Sequence, residues 1–226
     1  MRGGEKPFAL EAIRAAAEAA GLAFRGAFHP QAEDLPAGVS AGTIVMLGFI
    51  GGEQWAGFAA SPEYRDGRPH PLDRWSLRVV SALARDLGAA PLFPFTAPFM
   101  PFIRWAQKAE PVFPSAMGML IHPNYGLWHS WRGALAFAEM LDLPPRDPRP
   151  RPCDSCVEKP CLSACPVSAF DGTGVFNAPA CGAHIRRAEG ADCMTGCLSR
   201  RACPIGAGYR YSPEQAAFHM RSFRGE

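Results

Sequence analysis

CDSCVEKPCLSACP, residues 153–166, places four cysteines within one short stretch and follows the last with proline. A second run, Cys193-x3-Cys197-x5-Cys203-Pro204, repeats the Cys-Pro ending, and Cys181 stands alone between the two. All eight cysteines of the chain lie in this last third. Thiols this dense in a reducing compartment point to metal ligation and not to disulfides.

Thiolates are soft ligands, and a cubic [4Fe–4S] cluster takes one for each iron. Three close in sequence wrap one face, and a distant fourth closes the site. In the bacterial ferredoxin pattern the fourth cysteine of each run serves the other cluster. That logic assigns Cys153, Cys156, Cys161 and Cys203 to one cluster. Cys165, Cys193, Cys197 and, by elimination, Cys181 form the other. A zinc ribbon is the competing reading. It calls for two C-x2-C pairs separated by 15–20 residues, whereas here the third and fourth cysteines come too soon. Val157 stands where covalent haem attachment requires histidine.

The rest of the composition sets the frame. The chain has 226 residues, 48% hydrophobic and 19% charged, which suits an ordered domain with a smaller appendage. A net charge of +2 argues against nucleic acid as the main partner. Of the 23 basic residues only Lys6, Lys108 and Lys159 are lysines. Arg186, Arg187, Arg200, Arg201 and Arg210 surround the cysteines. They offset cluster charge, dock an acidic electron donor, or simply solvate a surface. The N-terminal residues contain no apolar secretion segment, and no apolar run is long enough to span a bilayer. The expected location is the cytoplasm, with no membrane partner.

Along the chain, residues 8–20 have helical periodicity, with Gly21 as a stop. LAFRGAF (22–28) alternates like a strand, and TIVMLGFI (43–50) reads as a buried one. A helix can begin within 53–60. Asp73 is placed to cap a helix running to Leu87, with Leu77, Val80, Ala84 and Leu87 on its inner face. PLFPFTAPFMPF (91–102) carries four prolines and four phenylalanines, which implies a rigid aromatic loop before a helix near 102–109. MGMLIHP (117–123) and GLWHSWRGALAF (126–137) look like neighbouring strands joined at Asn124-Tyr125-Gly126. LPPRDPRPRP (143–152) is a linker, and Ser212-Pro213-Glu214 opens a last helix.

These residues also resemble known families. The cysteine layout, with a lone cysteine between two runs, is similar to the two-cluster module of epoxyqueuosine reductase, a corrinoid-dependent enzyme in whose family the lone cysteine is a cluster ligand. LIHPNYGLWHSWRGALAF (120–137), followed by LPPRDP (143–148), resembles the H-P-x-[FY]-G-x-W-x-x-x-R-G stretch of CblC-type cobalamin-processing proteins, which have a nitroreductase-like fold. YSPEQAAF (211–218) resembles a helix start in that group. The chain lacks the G-W-x-G-K-N stretch and the C-terminal helical-repeat domain of epoxyqueuosine reductase, so a tRNA substrate is not expected.

The resemblance implies an α+β fold, with a CblC-like sheet flanked by helices and a C-terminal ferredoxin-like module. Residues 1–142 would form a corrinoid-binding-like domain, 143–152 the linker, 153–208 the two-cluster module and 209–226 a final helix. His122, Tyr125, Gly126, Trp128, Trp131, Arg132 and Gly133 would hold the corrinoid. Phe93, Phe95, Phe99, Phe102 and Trp105 are further candidates for its walls. Arg132 and Asp73 are the candidate catalytic residues. For each of these residues ordinary packing, a turn or a helix cap is the simpler structural role.

The expected function is a cobalamin reductase or processing protein that passes single electrons through two clusters to cobalt. An external flavoprotein or ferredoxin would supply the electrons, and a cobalamin-using enzyme would lie downstream. No G-x-G-x-x-G or G-x-x-x-x-G-K-[ST] motif provides a nicotinamide, FAD or ATP site of those types. The alternatives are a plain two-cluster electron carrier and a corrinoid-dependent reductase of an organic substrate.

Overall fold

The computed structural model describes residues 10–36 and 38–225. Among the described residues the strands are β1 (Ala23–Phe28), β2 (Thr43–Ile50), β3 (Ala90–Leu92), β4 (Phe113–Pro114), β5 (Leu120–Ile121) and β6 (His129–Phe137). The chain divides into two compact units. One comprises residues up to Phe49, Glu53–Glu110 and Ser130–Asp147; the other comprises Ile50–Gly52, Pro111–His129 and Pro148–Glu226. The segment Pro111–His129 therefore groups with the cysteines, and the chain passes between units at several places besides the proline-rich stretch.

The first unit is built on a four-stranded sheet in the order β1-β2-β6-β3. β1 pairs antiparallel with β2, and β3 pairs antiparallel with β6. Thr43 through Phe49 are all buried. Successive strand residues face opposite sides, so this central strand is covered on both faces, as its unbroken apolar run requires. Helices α1 (Leu10–Ala19), α2 (Trp55–Ala59), α3 (Pro62–Arg65), α4 (Pro71–Asp86) and α5 (Phe102–Ala109) flank the sheet. Gly21 stops α1 with φ at +78°; residues 8 and 9 of the expected helix lie outside the described residues. Trp75 of α4 meets Phe49 edge-on at 5.4 Å, and Trp105 of α5 packs on Phe28 at 6.3 Å.

Three expectations need correction here. Asp73 is not the cap of α4: the helix starts at Pro71, whose missing N–H costs nothing at a first position, and Asp73 falls within the first turn. Val80, Ala84 and Leu87 are buried as expected, but Leu77 is 45% exposed, and Leu72, Trp75 and Leu83 complete the inner face. The proline-rich stretch is not all loop. Pro91 sits in β3 at the sheet edge, where a residue without N–H is tolerated.

The second unit holds the β4–β5 pair, with Phe113 opposite Ile121 and Pro114 opposite Leu120. The expected pairing of 117–123 with 126–137 does not form. A bridge between His122 and Gly126 closes the turn, but β5 then pairs with β4 while β6 joins the other sheet. Short helices follow: α6 (Pro152–Ser155), α7 (Pro160–Ser163), α8 (Ala178–Ile185), α9 (Ala191–Met194) and α10 (Leu198–Ala202). The last helix, α11 (Pro213–Arg224), is capped by the Ser212 hydroxyl, which accepts from the Gln215 N–H at 3.2 Å. No helix among the described residues is long and apolar enough to cross a membrane.

Candidate metal centres

The short helices of the second unit set the cysteines. α7 lies between Cys161, on its second residue, and Cys165; α10 lies between Cys197, which precedes it, and Cys203, which follows it. α10 packs against α7. Cys153 is on α6, Cys181 on α8 and Cys193 on α9. All eight are free thiols.

Their surroundings divide them into two groups of four. Burial pushes the Cys161 thiol above its ordinary value, and the nearby thiols of Cys203, Cys153 and Cys156 push it further. Burial raises Cys181 to about 11, with Cys197, Cys165 and Cys193 as its thiol neighbours. Cys203 is raised by burial and by Cys153 and Cys156, against the Ile205 N–H, which holds it down. Burial likewise raises Cys197, although its sulfur accepts from the Arg200 and Ser199 N–H groups.

Cys153, Cys156, Cys161 and Cys203 line one cavity together with Lys159, three prolines and the apolar residues Ala116, Ile121 and Ile205. Among the described residues no three His, Cys, Asp or Glu side chains draw together tightly enough to hold a single metal ion. The first four thiols are spread around a space.

Crowded thiols that raise one another cannot all ionise without a compensating cation, and a bound metal reverses that balance. The donor set therefore suits a metal group with several sulfur-binding corners. Other buried atoms in this unit point the same way. Ser199 Oγ, His184 Nε2 and Trp128 Nε1 are buried with no hydrogen-bond partner in the described structure. Ser199 closely follows Cys197, and His184 lies one helical turn beyond Cys181. Buried polar atoms are ordinarily satisfied, and a sulfur-rich group provides acceptors. The eight cysteines are compatible with two iron–sulfur clusters.

The residues expected to hold a corrinoid fall into both units and are engaged in packing within each. His122 is buried; its Nδ1 accepts from the Asn124 N–H at 3.0 Å and the Tyr125 N–H at 3.3 Å. Its ring stacks on Tyr125 at 4.0 Å. Gly126 has φ at +59°, and a Cβ there would lie 2.0 Å from the Ile205 carbonyl oxygen. Gly206 is its counterpart, with φ at +73° and a notional Cβ 2.3 Å from the Tyr125 carbonyl. The close approach made by Gly126 is thus to the backbone just after Cys203-Pro204. Sequence reasoning missed Ile205 and Gly206. The only signal was a glycine shortly after the second Cys-Pro.

Trp128 is buried under the Arg200 guanidinium, 4.5 Å from its ring, and Arg200 Nε donates to the Leu127 carbonyl at 3.0 Å. Arg201 and Arg210 also donate to backbone carbonyls, of Asp192 and Arg201. Arg186 donates to the Gly182 carbonyl at 2.9 Å, so four of the five arginines around the cysteines are tied into the fold.

In the first unit, Trp131 Nε1 donates to Glu110 Oε1 at 3.0 Å. Gly133 lies under Val80, whose methyls leave 3.0 Å for a Cβ. Arg132 and Asp73, the two candidate catalytic residues, are brought together as an ion pair, and Arg132 Nε donates to Ser76 Oγ at 3.1 Å. Phe93, Phe102 and Trp105 are core residues, whereas Phe99 is exposed.

No family model matches the chain, and no curated protein matches it. Solved structures do. Epoxyqueuosine reductase from Streptococcus thermophilus superposes with a TM-score of 0.56 at 17% identity, covering 90% of this chain and 69% of that one. The enzyme from Bacillus subtilis, solved with a catalytic loop swung out of the active site, gives 0.52 at 16% identity over 91% of this chain and 69% of that one. A third, epoxyqueuosine reductase with an epoxyqueuosine-modified tRNA-Tyr stem loop, gives 0.51 at 16% identity with the same coverage. At these identities the likeness is one of fold: an α+β chain with a small antiparallel sheet flanked by helices, similar to that of epoxyqueuosine reductase.

Proposed function

We propose that this chain is an iron–sulfur oxidoreductase that moves single electrons through two [4Fe–4S] clusters. Cys153, Cys156, Cys161 and Cys203 would hold one cluster, and Cys165, Cys181, Cys193 and Cys197 the other. The observation that carries the reading is the division of eight thiols into these two fours, the first around a shared cavity. The fold likeness to epoxyqueuosine reductase supports a reductase. Bound clusters supply one-electron storage at low potential. The protein's own part is to fix the thiols, exclude water and, through α7 and α10, link each set of ligands to the other. The test is anaerobic iron and sulfide analysis of reconstituted protein, which should give about eight of each per chain. A colourless protein holding zinc would overturn the reading.

Two acceptors are worth distinguishing. A corrinoid is supported by the HPNYG…WRG resemblance and by the likeness of the cysteine layout to that of a corrinoid-dependent enzyme. Hydroxocobalamin titrated into the protein should shift the corrin spectrum, with a dissociation constant below about 100 µM, if this acceptor is right. Without a shift, the electron-carrier role remains. A modified tRNA nucleoside is supported by the tRNA-bound structural neighbour. A gel shift with the corresponding stem loop tests it directly.

A further inference from the structure

We propose that Arg200 is a positioning residue for the second group of thiols: it fixes a positive charge beside Cys197 and makes the cluster held there the one that keeps the electron. That role presupposes the iron–sulfur reading of the eight cysteines and adds a direction to it.

Arg200 sits on α10, one helical turn after Cys197, and is half-buried. Its guanidinium is pinned. Nε donates to the Leu127 carbonyl at 3.0 Å, and Nη2 donates to the same oxygen. The guanidinium carbon lies 4.5 Å from the centre of the Trp128 ring and 4.4 Å from that of Tyr211. A carbonyl and two ring faces hold a cation in place without cancelling its charge. The withdrawn arginines of the first unit are held differently: Arg25 is paired with Glu110, and Arg132 with Asp73. Among the described residues no carboxylate pairs with Arg200. A charge taken partly out of water ordinarily faces an anion, and a cluster held by four thiolates is anionic.

The second group is the one that receives this charge. Burial raises the Cys197 thiol, while the Arg200 and Ser199 N–H groups and the Arg200 guanidinium pull it down. Burial and the neighbouring thiols raise Cys193, against the Leu198 N–H and Arg201. Cys165 Sγ accepts from the Ala169 N–H at 3.3 Å. The first group has weaker support. Arg210 opposes the burial that raises Cys203, and Lys159 lines the cavity, but both residues are exposed, so water and salt screen them. The acids beside the ligands do not reverse the balance: Asp154 and Glu158 lie in the first run and Asp192 in the second, all exposed.

Reduction adds one negative charge to a cluster. Fixed cations and N–H groups at its sulfurs favour that form and raise the potential. The second cluster is therefore the higher of the two. One electron would leave the reduced first cluster and be kept by the second; no bond or proton moves.

Redox titration followed by EPR, on the anaerobically reconstituted full chain, tests this role. The wild type should show two one-electron reductions, and the one missing in Cys181→Ser should come at the higher potential. Arg200→Gln should move that reduction to lower potential and leave the other in place. Arg200→Lys, which keeps a cation, should recover most of the shift. Iron should stay at about eight atoms per chain in both. If Arg200→Gln loses its clusters, Arg201→Gln reads the same charge effect, because that side chain makes only a long bond of 3.4 Å to the Asp192 carbonyl; it too should lower the second potential, by less. An unmoved second potential in an iron-loaded variant overturns the proposal. So does an equal shift of both reductions, or a wild type whose first cluster is reduced first. A chain that takes up no iron defeats the proposed function, whereas an iron-loaded chain with an unmoved potential defeats only the role of Arg200.

Discussion

The Cys203 thiol lies beside those of Cys153 and Cys156, from the opposite end of the cysteine region, and these neighbours help burial hold it in the protonated form. Cys165, which follows Cys161 by a single turn of helix, belongs instead with Cys181. Each run thus gives its last cysteine to the other group.

This exchange makes the ligand assignment testable one cluster at a time. Cys203→Ser should lose the first cluster and keep the second, leaving about four of about eight iron atoms. Cys181→Ser should do the reverse. Anaerobic iron counts with EPR of the reduced variants check this. If Cys203→Ser also removes the signal lost in Cys181→Ser, the division into fours is wrong.

The cysteine region stood out in the sequence because thiols carry specific chemistry and their spacing is constrained by it. Strand β2 was legible because an unbroken apolar run between turn residues has few other outcomes. The HPNYG turn was legible as a turn, but its packing partner was not. Its glycine signals only a positive φ and a close approach, and sequence does not say what approaches. Gly126 and Gly206 meet through backbone atoms, which leave no side-chain pattern. Asp73 misled for a related reason. An acidic residue near a helix start suits a cap, a first-turn charge and an ion pair equally, and Arg132 decides among them.

Gly206→Ala should therefore disturb the cysteine unit without touching a thiol. The added methyl would meet the Tyr125 carbonyl, and φ at +73° is unfavourable for alanine. A loss of about 1–3 kcal/mol is expected from the backbone strain alone. Thermal unfolding and cluster retention should fall together. Gly208→Ala, where a Cβ meets nothing within 4 Å, is the control and should leave both near wild type.

In the first unit, Arg25 and Glu110 form a buried ion pair at 2.7 Å, with Arg25 Nη1 also donating to the Phe49 carbonyl at 2.9 Å. Burial pushes the Glu110 carboxyl up, while Arg25 and the Trp131 N–H pull it back. Glu110→Gln leaves a guanidinium in the interior without its counter-charge. Breaking one side of such a pair costs about 3–5 kcal/mol. Urea unfolding should show that loss, and Glu110→Asp should recover part of it.

Glu63 supplies the pH dependence. Its side chain accepts from Arg78, with Nη2 to Oε2 at 2.9 Å, and this bonding outweighs burial and holds the carboxyl down at about 2. A carboxyl depressed in the folded state binds protons more readily when unfolded. Its contribution is therefore complete above the ordinary value near 4.5 and is lost as pH falls towards about 2. The wild-type urea midpoint should drop between pH 5 and pH 3 by more than that of Glu63→Gln, whose neutral amide has no proton to gain. Arg78→Ala should flatten the same part of the profile, because without the guanidinium the carboxyl returns towards its unfolded value. Parallel profiles for wild type and both variants would show that this pair does not set the acid limit of the unit.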